Sequence, residues 1–174
     1  MKYSKILFLL VLLASGECLA ELKVDNVFLY LPDQAMKERI ECQAEFITYL
    51  GVIKNNLEDV FQQANVVGPV SLGLVVSVRP SNDSKVWFSF LEGKLSEKER
   101  RFVSAYIEKI PAPRVQNGIV PVAFGLRIGD TETISSQPPL PPEWMPFADG
   151  KNELSVVVGK AWDEEDKKQK EKML

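Results

Sequence analysis

The sequence predicts an α+β fold: a small, mainly antiparallel three-stranded sheet with two helices on one face, plus a short extra strand and a C-terminal tail. Three observations predict it. Apolar residues recur at helical spacing across residues 33–65. Two β-branched runs flank the polar loop 80–84, the arrangement of a hairpin. A second helical pattern over residues 96–110 stops at Pro111-Ala112-Pro113, and a third apolar run follows it. At 174 residues, 45% hydrophobic and 26% charged, the chain has the size and composition of one folded domain with tails.

The first element is a targeting segment. Lys2 and Lys5 precede the apolar run 6–14, and residues 15–20 are small or polar in the main, the three-part pattern of a secretory signal peptide. The run falls short of the roughly 20 apolar residues of a spanning helix, so no integral membrane span is expected and the periplasm is the expected location. Cleavage after Ala20 puts Cys18 and Ala20 at the small-residue positions; the alternative, after Gly16, uses Ala14 and Gly16. Glu17 stands where a bacterial lipobox needs a small residue, which argues against a lipid on Cys18. Cleavage at Ala20 takes the chain from 21 basic and 24 acidic residues to 19 and 23, net −4, by removing Lys2, Lys5 and Glu17. It leaves Cys42 as the one cysteine, so no internal disulfide is expected and the thiol is either buried or bonded between chains.

Residues 21–31 alternate loosely as a short strand or extended lead-in, ended by Pro32. Met36, Ile40, Ile47, Leu50, Ile53, Leu57, Phe61 and Ala64 make one long helical stripe, with Asp33 as its cap and Gly51 as the place where it divides. Residues 72–79 and 85–91 are the hairpin strands. Ser96 caps the next helix and Glu99 completes a capping box. Residues 119–128 form the third strand, where Pro121 lacks an N–H and favours an edge. Five prolines between Thr131 and Pro146 make a stiff connector, residues 153–158 read as a last strand, and residues 163–174 as a charged helix or tail. The expected core is Phe46, Ile47, Leu50, Leu57, Phe61, Phe88, Phe90, Phe102, Tyr106 and Ile107.

Chemistry is narrowed by absence. With no histidine, Ser-His-Asp and Cys-His pairs and imidazole metal sites are excluded, and two cysteines fall short of the about four ligands of structural zinc. Residues 68–73 are not followed by Lys-Ser/Thr and form no phosphate loop. The acids 163–166 lack EF-hand spacing, and pairs such as Glu97/Glu99 or Asp130/Glu132 are what any acidic surface supplies. Asn82-Asp83-Ser84 fits a glycosylation sequon. The expectation is a non-enzyme with no catalytic, cofactor-binding or metal residues and no cofactor. A net charge of −3 offers no basic excess for nucleic acid.

The element order helix, strand, turn, strand, helix, Pro-x-Pro, strand over residues 46–127 resembles the C-terminal periplasmic domain of TonB and TolA. The matching residues are Tyr49, Ile53, Leu57 and Phe61, then Gly73-Leu74-Val75-Val76-Ser77-Val78, the polar turn 80–84, Tyr106-Ile107 with Ile110-Pro111-Ala112-Pro113, and residues 119–126. The resemblance implies the fold and a mode of binding, in which a partner's strand is added beside the third strand. The short apolar run, the lack of a proline-rich spacer before the domain and the proline-rich part after it depart from the family's force-transmitting members.

Taken together, the expected function is an exported envelope adaptor for protein–protein interaction, or a component of a secretion, conjugation or transport apparatus. The alternative is a periplasmic immunity or inhibitor protein against a toxin or hydrolase. The expected binding edge is Ile119, Val120, Val122, Ala123, Phe124, Gly125, Leu126 and Arg127, unless residues 153–158 already pair there. A homodimer through the first helix, with residues 36–42 protruding, is the other expected contact.

Overall fold

A computed structural model describes residues 21–172, so the expected leader lies outside the described residues. The order is β1 (Leu22–Leu29), α1 (Asp33–Arg39), α2 (Gln43–Gln63), β2 (Val70–Val78), β3 (Ser84–Glu92), α3 (Glu97–Ile107), β4 (Val120–Ile128), a 3-10 helix (Pro142–Phe147) and α4 (Leu154–Lys172). The strands form one sheet in the order β1-β4-β2-β3, and every neighbouring pair is antiparallel. The α+β class and the antiparallel sheet are as expected. The sheet, however, has four strands rather than three, because residues 22–29 join it, and helices lie on both faces rather than one.

On the first face α2 and α3 bury Phe46, Tyr49, Ile53, Leu57, Val60, Phe61, Val103 and Ile107 against the inward residues of the strands. The capping box starts α3 as expected: Glu99 N–H donates to Ser96 Oγ at 3.3 Å, and Ser96 N–H donates to the Glu99 carboxylate at 2.5 Å. The long stripe does divide, but not at Gly51, which lies inside α2. It breaks at residues 40–42, because Ile40 pairs with Val115, Gln116 N–H donates to Arg39 O at 2.8 Å and Glu41 N–H to Arg114 O at 3.4 Å. Tertiary hydrogen bonds to the segment after α3 replace helical ones there. Cys42 is therefore the residue before α2, half-buried and free, rather than inside a helix. Met36 and Arg39 are buried, so α1 packs on its own domain and does not protrude toward a coiled-coil partner. Two expected core residues are also corrected. Ile47 is 68% exposed and Phe102 40%, because Val103, one position along, takes the inward place on α3.

The second face is covered by residues 131–172. Trp144, Val157, Val158, Ala161 and Trp162 pack on Val75, Trp87 and Ala123 of the sheet. Trp144 meets Trp87 and Tyr30 edge-on, with centroids 5.8 and 6.0 Å away. Of residues 153–158, expected as a strand, 154–158 instead begin α4. Val157 and Val158 recur with Ala161 and Trp162 at helical spacing, and burying that stripe outweighs the β preference of three valines. The connector crosses a trough of small residues. Gly125 pairs with Gly73, and Gly73 with Ser89, across three strands. A Cβ on Gly73 would stand 2.5 Å from Pro138 Cβ, so the absence of a side chain there is what admits the proline. Among the described residues no helix is long and apolar enough to cross a membrane.

Candidate functional site

The expected binding edge is not an edge. Ile119 precedes β4, and Val120, Val122, Ala123, Phe124, Gly125, Leu126 and Arg127 lie in it, between β1 and β2; these seven pair with β2, and all but Val120 with β1. Pro121 is accommodated because the last β1 rung is Leu29–Val122, one residue short of it. The direction of its nitrogen follows by counting rungs. Val86 N–H points away from β2, toward the Glu108 carboxylate at 2.9 Å. Backbone groups alternate sides with a period of two, so Lys85, Trp87 and Ser89 face β2. By the same count Val122, Phe124 and Leu126 face β2, and Pro121, Ala123 and Gly125 face β1. The missing N–H therefore points past the end of β1 and costs no ladder bond.

The same count identifies the true edges. Asn26 and Phe28 face β4, and the backbone N–H and C=O groups of Val27 and Leu29 face outward, away from the sheet. Their side chains are 42% and 44% exposed. Beside them Leu29, Met36, Ile40, Phe46, Ile47 and Leu50 line an apolar groove of about 240 Å³, rimmed by Asp33, Lys37 and Gln43. Sequence alternation marked residues 22–29 as strand-like, but strand order decides which strand is bare, and no local signal carries that.

The N-terminal half of β1 is guarded. Asp25 sits in a bulge between Val24 and Asn26, with its side chain almost wholly buried. Its carboxylate accepts from Arg127 Nε at 2.6 Å, Arg127 Nη2 at 2.8 Å and Ile134 N–H at 2.8 Å. Those hydrogen bonds, the guanidinium above all, hold its pKa below the usual carboxylate value. Asn26 Nδ2 donates to Ile134 O at 2.9 Å and Tyr30 Oη to Pro138 O at 3.1 Å, so β1 fastens the connector over the second face. Burial pushes the Tyr30 hydroxyl up to about 12.

The other edge, β3, is recessed. Residues 85–88 are buried at the floor of a cleft of about 600 Å³ between α3 and α4. Glu108, at the end of α3, caps the Val86 N–H; the residue as a whole stays open to solvent, while desolvation of its carboxyl beside the strand raises its pKa. Lys85 is held by Asp166 at 2.6 Å and Glu165 at 3.4 Å, and Trp162 lies between Arg79 and Lys85, 4.6 and 5.4 Å from its ring. This network ties α4 to the hairpin. Among the described residues no group of three or more His, Cys, Asp or Glu could hold a metal ion. Chemically, the site offers backbone pairing and apolar contact at β1. No protein-family model, curated protein or solved structure matches the chain.

Proposed function

We propose that the protein is an exported, non-enzymatic adaptor of the cell envelope that captures an extended segment of another envelope protein by strand addition to β1. One observation carries the reading: the outward rungs at Val27 and Leu29 are contiguous with the apolar groove along α1 and α2, where Ile47 stands exposed. An incoming strand hydrogen-bonds to the bare rungs, and its apolar side chains on the helical side enter the groove. The groove gives selectivity for alternating apolar residues. The bulge at Asp25 and the charge of Lys23 end the pairing toward the N-terminus, so the captured segment is short. Export rests on the leader pattern of residues 1–20, and the mature chain is expected to start at Glu21.

A photo-crosslinker placed at Val27, with one at the exposed hairpin-tip residue Asn82 as control, tests the reading in envelope extract. Crosslinks from Val27 alone, mapping to one extended segment whose synthetic copy binds the purified protein and loses affinity to Leu29→Lys, support it. Identical products from both positions, or binding unchanged in a folded Leu29→Lys variant, overturn it. A toxin or hydrolase as the captured protein would make the adaptor an inhibitor.

A further inference from the structure

The bare stretch of β1 is short, and its length bears on the direction of a guest strand. Outward rungs stand at Val27 and Leu29. The bulge at Asp25 closes one end, and at the other the chain bends at Tyr30 and Leu31 before entering α1. An antiparallel guest exchanges both hydrogen bonds at each rung with the residue directly opposite, so a run of three residues satisfies Val27 and Leu29. In a parallel guest the bonds slant to the residues on either side, and the same bonds need a run of five, the last of them beside Tyr30. The bend leaves no straight strand there to lie against.

The guest's side chains follow from the same register. Val27 and Leu29 share the sheet face of Phe124, the face that α2 and α3 cover. Directly opposite residues share a face, so the guest residues across from Val27 and Leu29 also turn to the helical side. Leu29 lines the apolar groove and Val27 does not. The groove, at about 240 Å³, is smaller than the roughly 300–1,000 Å³ of a small-ligand pocket and suits one bulky side chain. Charge adds no preference: Asp33 and Lys37 on the rim have opposite signs, and Lys23, beyond the bulge, is paired with Glu21 at 3.7 Å. Resting on β1 as the capture edge, we infer that the guest runs antiparallel to β1 with a bulky apolar residue opposite Leu29 and, two positions later in its own chain, a smaller apolar residue opposite Val27.

Two peptides of equal composition, acetyl-Thr-Leu-Thr-Ala-Thr-amide and acetyl-Thr-Ala-Thr-Leu-Thr-amide, test the order. Each is titrated into the protein and followed through the Val27 and Leu29 amide resonances. Direction is read from the nuclear Overhauser contact between the α protons of Phe28 and the central threonine. In the antiparallel arrangement these two residues form a non-hydrogen-bonded pair, with Cα atoms about 4.5 Å apart. The leucine-first peptide should bind at least about tenfold tighter and show that contact. Its advantage should vanish in Ile47→Lys, a change at an exposed residue of the groove. Equal affinities, tighter binding of the alanine-first peptide, a bound leucine-first peptide without the Phe28 contact, or an advantage that survives Ile47→Lys overturns the inference and leaves strand addition standing. No shift at Val27 or Leu29 with either peptide overturns strand addition at β1, and this inference with it.

Discussion

Each edge of the sheet carries a carboxyl that accepts a backbone N–H, and the two carboxyls are driven in opposite directions. At β1, Asp25 holds the Ile134 amide and two nitrogens of Arg127, and its pKa falls. At β3, Glu108 holds the Val86 amide and belongs to no ion pair among the described residues, and desolvation raises its pKa. The β1 carboxyl faces inward and fastens the connector, which leaves the outer rungs of its own strand bare. The β3 carboxyl caps its strand from outside, under the overhang of α3 and α4. A strand edge is thus open or closed according to which way its one guarding side chain turns, and the open edge is the one beside an apolar groove.

The largest expected effect breaks the guard at β1. Asp25→Ala removes three hydrogen bonds, two of them from a guanidinium, and should cost about 3 kcal/mol in chemical denaturation. Glu108→Ala should cost well under half of that, since water can reach the Val86 amide through the cleft. Equal losses would mean that the two carboxyls do the same job.

Next in size is the binding edge itself. Leu29→Lys puts a charge on an exposed rung and should weaken capture by a factor of about ten, near 1.4 kcal/mol, with stability changed by less than about 0.5 kcal/mol. A stability loss matching the binding loss would place Leu29 in the core instead. Away from both edges, Gly51→Ala should stabilise the fold by about 1 kcal/mol, because it sits inside α2 with nothing within 4 Å of an added Cβ. It should leave capture untouched, which separates global stability from the edge.

The smallest effect is in pH, and its sign differs between the edges. Asp25, lowered, contributes stability above 3.8 that is lost as pH falls through its folded value. Glu108, raised, contributes stability that is fully present below 4.5 and lost as pH rises through its folded value. On acidification the fold should firm slightly before it weakens. Glu108→Gln should abolish the firming and Asp25→Asn the late weakening; the reverse assignment would refute the comparison.

What could be read from the residues was local. The hairpin and the capping box at Ser96 are set by neighbours a few positions apart and appear where expected; the helices appear too, but with Ile47 and Phe102 turned outward and the break at residues 40–42 instead of Gly51. Strand order is not local: β1 and β4 pair across about a hundred residues, so Pro121 read as an edge mark when it marks only where a neighbour stops. The apolar run of β2 read only as a strand with helices over one face; its burial on both faces was not drawn from it, and what covers the second face depended on reading residues 156–158 as helix. Glu108 had no signal at all, since its role depends on a strand that lies about twenty residues earlier in the chain.

Residue-by-residue amide hydrogen exchange tests the central claim, that β1 is the open edge and β3 the closed one. In the free protein, Val27 and Leu29 should exchange close to the unprotected rate while Val86 exchanges slowly, and a captured segment should slow Val27 and Leu29 at least tenfold without changing Val86. Protection of Val27 and Leu29 in the free protein, or protection arriving at Val86 and Phe88 on capture, would contradict it.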